Sequence, residues 1–143
     1  MRRNLVLIAV IFCVVFASGV AAAGSVNRVI RVEVPFTFTV GNNTLPAGEY
    51  VVQMGHSGIG AALGSTLVLT RTATSASFVV RTLPAQNQEF RPEAKLVFHR
   101  YGDRYFLASA ESYGLRSQLF TTPLEKELMA RNSGAEKISV ASD

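Results

Sequence analysis

Ile30-Arg31-Val32-Glu33-Val34-Pro35-Phe36-Thr37-Phe38-Thr39-Val40 is the stretch that decides the fold. Every even position is apolar. The odd positions are Arg, Glu, Pro and Thr. Side chains on a strand point to alternate faces, so strict alternation over 11 residues means one long strand, or two collinear strands, with one face buried. Pro35 falls on the outward side and has no amide proton to give a ladder. It marks an edge strand, or a break where the chain passes between sheets.

Turn chemistry follows at once. Gly41-Asn42-Asn43 and Leu45-Pro46-Ala47-Gly48 both read as turns, with Pro46 pre-setting φ and Gly48 closing the second. Glu49 to Met54 returns as a strand, and Gly55 to Ser65 is a loop of small residues. Thr66 to Thr70 and Ser77 to Thr82 read as short strands, and Pro84 to Glu93 as a polar connection. Lys95 to Ala110 has the form of a hairpin around Gly102-Asp103, a pair suited to the primed turns that match strand twist. A last strand is expected near Ser117 to Thr121. Thr122-Pro123-Leu124-Glu125 then starts a short helix: Thr122 caps, Pro123 takes the first helical position and Glu125 completes a capping box. Leu124 and Leu128 would share one face of that helix. Thr44-Leu45-Pro46-Ala47 recurs as Thr82-Leu83-Pro84-Ala85 without matching flanks, which reads as two similar turns rather than a duplication. About seven short strands with no βαβ spacing predict an all-β, single-domain sandwich or small barrel with a short C-terminal helix.

The N-terminus speaks to destination. Arg2 and Arg3 precede an apolar run from Leu5 to Phe16, and Ala21-Ala22-Ala23 supplies the small residues of a peptidase site. Residues 1–23 are therefore expected to be a secretory signal peptide. The competing reading keeps the segment as a membrane anchor, since Leu5 to Ala23 carries no charge. Ser18, Gly19 and the alanines favour cleavage. Residues 24–134 would form the domain and 135–143 a loose, polar tail. Cys13 is the only cysteine and leaves with the leader, so the exported domain has neither disulfide nor thiol chemistry. Of the 14 basic side chains Arg2 and Arg3 also leave, so 12 face 10 acidic ones. Bases lie singly along the rest of the chain, without the stripe of a nucleic-acid binder.

Three segments carry a resemblance. They are Val34-Pro35-Phe36-x-Phe38-x-Val40-Gly41, Leu45-Pro46-Ala47-Gly48-Glu49-Tyr50, and Leu96-Val97-Phe98-His99-Arg100-Tyr101-Gly102-Asp103-Arg104-Tyr105-Phe106-Leu107. Together they resemble a family of short exported proteins of soil bacteria, and the likeness covers most of residues 29 to 130, including the Pro-Leu-Glu helix start. The resemblance implies export and one compact domain. It implies no catalytic residues.

Chemistry-bearing groups are sparse. Gly58-x-Gly60-x-x-x-Gly64 lacks the spacing of a dinucleotide fingerprint and has no Lys-Ser/Thr behind it. His56 and His99 are the only histidines and lie far apart in sequence, so no metal is expected. Ser57, Ser65 and Ser112 lack a nucleophile-elbow context. Paired carboxylates for glycoside chemistry would have to come from Glu33, Glu49, Glu89, Glu93, Asp103 or Glu111. No cofactor is expected.

The hairpin stands out. A two-residue loop sets Tyr101 opposite Arg104, Arg100 opposite Tyr105, His99 opposite Phe106 and Phe98 opposite Leu107. Leu96, Phe98, Tyr105 and Leu107 then face the core. The other face holds His99, Tyr101, Arg104 and Phe106 with Val97 and Ala108, less polar than a solvated face. Either a second layer or the C-terminal helix covers it, with Arg104 stacked on Tyr101, or it is an aromatic surface for an envelope protein or a glycan. The expectation is a periplasmic or secreted binding or structural envelope protein, non-enzymatic, touching membrane only through an uncleaved leader. A barrel-type carrier of a small ligand and a hydrolase acting outside the cytoplasm are the alternatives. An open sheet edge would favour strand addition by a partner; a closed barrel would favour a ligand.

Overall fold

The computed structural model describes residues 27–56, 65–84, 93–131 and 134–142. The leader, Cys13, the Gly58 to Gly64 loop, Ser57 and Glu89 lie outside these residues. Among the described residues the chain is all-β, with ten strands in one sheet rather than about seven, and one short helix. The strands are β1 (Asn27–Val34), β2 (Phe38–Val40), β3 (Asn43–Leu45), β4 (Gly48–His56), β5 (Ser65–Arg71), β6 (Ser77–Pro84), β7 (Lys95–Tyr101), β8 (Arg104–Ser112), β9 (Leu115–Leu119) and β10 (Glu136–Ala141); α1 is Pro123–Arg131. No described helix is long and apolar enough to cross a membrane.

Pro35 does break the alternating stretch. β1 ends at Val34 and pairs antiparallel with β4. β2 resumes at Phe38, pairs with β3 through a tight turn, and lies parallel to β8 at Thr39 and Phe106. The face alternation survives the break: Ile30, Val32, Val34, Phe38 and Val40 are buried, while Arg31, Glu33, Pro35 and Thr37 are exposed. One continuous pattern thus serves two distant parts of the sheet. The antiparallel path runs β1-β4-β5-β6-β9-β8, then β7 and β10, and the β2–β3 hairpin hangs on β8. The inward faces of these strands meet in a single apolar cluster around Tyr50, Phe38, Phe98 and Met54.

The β7–β8 hairpin has the expected register, from Tyr101 opposite Arg104 to Phe98 opposite Leu107. Gly102 sits at φ 60, as the first central residue of a type II′ turn requires. Beyond Phe98 the register shifts by one residue, so Val97 opposes Ser109 and Lys95 opposes Glu111. Ala108 is the extra residue of this bulge. A second tight turn, Tyr113-Gly114, has φ of 44 and 82 and joins β8 to β9. Two left-handed residues in succession fit a type I′ turn. A tyrosine there gives no sequence signal, and the Arg28 guanidinium lies over its ring at 5.7 Å.

Two corrections concern the C-terminus. Residues 135–143 are not simply a loose tail: Glu136–Ala141 form β10 along β7, from Glu136 opposite Arg100 to Ala141 opposite Lys95. Lys137-Ile138-Ser139-Val140 alternates over too few residues to announce a strand, and the existing edge of β7 supplies the pairing. The second correction is that α1 does not bury Leu124. Its buried residue is Glu125, while Leu124 and Met129 are exposed. Thr82-Leu83-Pro84 belongs to β6, whereas Pro46 is a turn residue, so the two Thr-Leu-Pro-Ala segments are not equivalent turns.

The alternation makes a direct prediction. Phe38→Ala should lower the free energy of unfolding by about 3–5 kcal/mol, because a fully buried phenyl is lost and a cavity remains. Thr37→Ala should change it by less than about 0.5 kcal/mol. Urea unfolding checks both; equal losses would mean that both faces of the stretch are covered.

Candidate functional site

Among His99, Tyr101, Arg104 and Phe106, only Arg104 is exposed. Tyr101 keeps 4% of its surface and Phe106 2%, so these four residues do not form an open aromatic face. The two rings pack edge to face, with centroids 5.8 Å apart. Arg104 does not stack on Tyr101; the cation over a hairpin ring is Arg100, 5.7 Å from the centre of Tyr105. A depression of about 340 Å³ beside Arg104, Phe106 and Leu124 is what remains accessible there.

The start of α1 occupies the expected surface. Thr122 caps the helix, its Oγ1 accepting the Glu125 amide at 3.2 Å. Glu125 does not complete the capping box. Its carboxylate reaches across to His99 Nδ1 at 2.8 Å. A carboxylate that is only 5% exposed needs such a partner to offset its desolvation. Tyr101 lies beside the same carboxylate, and its buried hydroxyl makes no hydrogen bond of good geometry. Burial raises the Tyr101 pKa, and the Glu125 charge raises it further. Tyr50 differs: burial raises its pKa against an opposing effect of Arg71, and its hydroxyl donates to the Pro46 carbonyl.

A groove of about 460 Å³ opens on the outer face of β10, β7, β8 and β9, beside this latch. Strand register arranges it in rows. Lys95, Glu111 and Arg116 lie side by side on three adjacent strands. Glu111 bridges them, 3.6 Å from Lys95 and 3.3 Å from Arg116. The next row is Ser139, Val97, Ser109 and Gln118. The third begins with Lys137 and His99. Thr121, Glu125 and the exposed ring of Phe120 close the groove on the helix side. Ser109 is 1% exposed, and its hydroxyl has no hydrogen-bond partner among the described residues.

A second cleft, of about 400 Å³, separates the β2–β3 turn from β6 and shares Phe120 with the groove. β6 pairs with β9 only over Thr82, Leu83 and Pro84. The Arg71 amide donates to the Ala76 carbonyl across the β5–β6 turn. Antiparallel pairs alternate between bonded and non-bonded, so the Ser77 and Val79 backbone groups point away from β5, and Val79 lines this cleft. On that side neither has a strand partner among the described residues. The Val79 side chain is 68% exposed.

Of the other sequence candidates, strand register sets His56 opposite Ser65 on β4 and β5. Ser65 is buried and bonded to Thr82, and Ser112 is buried. Glu33 and Glu49 stand opposite one another on β1 and β4, both exposed. No group of three or more metal-ligating side chains occurs among the described residues. Sequence reasoning missed Ser109, Arg116, Phe120 and Lys137 because the rows that join them depend on the bulge and on β10. No family model, curated protein or solved structure matches the chain.

The two buried tyrosines should behave differently. Tyr101→Phe removes a hydroxyl that lies against the Glu125 carboxylate without a hydrogen bond of good geometry and should change the melting temperature little, whereas Tyr50→Phe should cost about 1 kcal/mol. Both phenols hold their protons more tightly in the folded chain than at the ordinary value of 10.0. Their contribution to stability is therefore intact below about pH 10 and is lost as pH rises above it. Thermal melts across that range should show a smaller alkaline loss in Tyr101→Phe.

Proposed function

We propose that the protein is an exported, non-enzymatic binding protein of the bacterial envelope that takes an extended segment of a partner as an added strand. The observation that carries this is the side of β6 at Ser77 and Val79 that turns away from β5 and has no strand partner among the described residues, with a cleft at Val79 whose walls carry exposed Val79 and Phe120. Unpaired backbone donors and acceptors in a row are a template for another strand, and apolar side chains beside them add affinity. Export is inferred from the Arg2-Arg3 start, the apolar run and the alanine site.

We read the curled sheet as a partly open barrel rather than a sandwich. β1 comes within 8 Å of β10 and β7 without sharing a ladder with either. A carrier of a small apolar ligand is the weaker reading, because Tyr50, Phe38, Phe98 and Met54 fill the centre. A hydrolase is favoured by one observation: Glu125 orients His99, the arrangement of a general base, and the exposed Ser139 lines the same groove. No hydrogen bond joins Ser139 to His99 among the described residues. Labelling of Ser139 by an organophosphonate probe would establish the hydrolase in place of the binding protein.

Val79→Pro tests the strand-addition reading. Its amide serves no bond within the described fold, so the variant should stay folded. A photo-crosslinking residue at position 79 should mark one extended segment of one envelope protein, and Val79→Pro should lose capture of that protein. Capture unaffected by Val79→Pro would overturn the reading.

A further inference from the structure

We infer that the groove on the outer face of β10, β7, β8 and β9 is a binding site for an acidic saccharide, a ligand that combines a carboxylate with sugar hydroxyls. This site adjoins the β6 cleft at Leu119, Phe120 and Thr121 but does not include Val79 and does not rest on strand addition.

Charge favours an anionic ligand. The groove holds two carboxylates, and both are engaged: Glu111 by Lys95 and Arg116, Glu125 by His99. Three permanent cations line it, Lys95, Arg116 and Lys137. Lys137 is exposed and makes no ion pair among the described residues. The groove therefore has cationic charge left over, at its β10 wall. A ligand carboxylate placed there meets an unspent ammonium, and Glu111 and Glu125 are both already committed to other partners.

Hydroxyl recognition comes from the row behind. Ser109 and Gln118 are paired in register, and Ser139 stands on the same row across Val97. The Ser109 hydroxyl is the informative member. A buried polar group without a partner costs about 1–3 kcal/mol, and most such groups in folded chains are satisfied. Ser109 is one of the groove's lining residues and its hydroxyl is buried just beneath that surface, so a ligand that shifts the side chains covering it can supply the missing bond with a sugar hydroxyl. Phe120 provides the remaining element. Its ring is 57% exposed and stands at the groove's rim, where the apolar C–H face of a pyranose can cover it. The volume, about 460 Å³, falls in the range of small-molecule sites.

Membrane-anchored polymers and free acidic sugars share this chemistry, so the probes are soluble: galacturonic acid, its di- and trisaccharide, and the matched neutral galactose oligomers. Calorimetric titration of the full chain should detect the acidic oligomers, weaken with added salt as a charge contact does, and bind the neutral series at least about tenfold more weakly. Lys137→Ala and Phe120→Ala, both at exposed positions, should each weaken binding by about tenfold. Ser109→Ala should weaken binding while keeping or raising the melting temperature, an outcome that a purely structural serine would not give. Val79→Pro should bind the sugars normally, which separates this site from the strand edge. Absence of binding to every acidic oligomer, equal binding of the neutral series, or unchanged affinity in Phe120→Ala and Lys137→Ala would each overturn the proposal.

Discussion

The fold depends on a chain of aromatic contacts through its centre. Phe36 stacks on Tyr105, centroids 4.0 Å apart, and meets the edge of Phe98 at 5.1 Å. Phe98 meets Phe38 at 5.3 Å, and Phe38 meets Tyr50 at 5.3 Å. Each pair contributes about 0.5–1.5 kcal/mol beyond its buried area. More important is what they connect. Phe36 sits in the break between β1 and β2, Tyr50 on β4, and Phe98 and Tyr105 on the β7–β8 hairpin. The chain of rings therefore ties one arm of the sheet to the other. No described residue is a cysteine, so no disulfide reinforces this tie among them, and cohesion rests on this core.

What lies outside the core is organised by polar contacts. α1 carries exposed Leu124 and Met129 and is held through Glu125, His99 and the Thr122 cap. The helix start forms one wall of the groove, so the latch also sets the shape of the candidate site. The bulge at Ala108 matters equally. It moves Ser109 and Glu111 into line with Val97 and Lys95, which creates the charged row and the hydroxyl row. A regular hairpin would turn Ser109 toward the core.

Much of the architecture was legible because it rests on short-range rules. Period-two alternation marked the inward residues of β1 and β2. Gly102-Asp103 fixed the register of β7 on β8 near the turn, and Thr122-Pro123 marked the helix start. The rest depended on long-range context. β10 exists because β7 offers it an edge. Tyr113 adopts a conformation that its residue type disfavours. Glu125 looked like a local cap, and a distant histidine drew its carboxylate inward instead. The candidate groove was least legible of all, since its residues come from four strands and the helix, and become neighbours only once the bulge and β10 are in place. The sequence singles out His99, Val97 and Ala108 on the hairpin face, Glu111 as a carboxylate and Glu125 as a cap, but does not place them together.

Native-state hydrogen exchange tests the central claim, that the aromatic chain makes the two arms one cooperative unit. Amides in β4, beside Tyr50, and in β7, beside Phe98, should exchange through a common global opening with the same free energy. Phe98→Leu should lower both together. Two distinct opening free energies, with only the β7 amides responding to Phe98→Leu, would contradict the account.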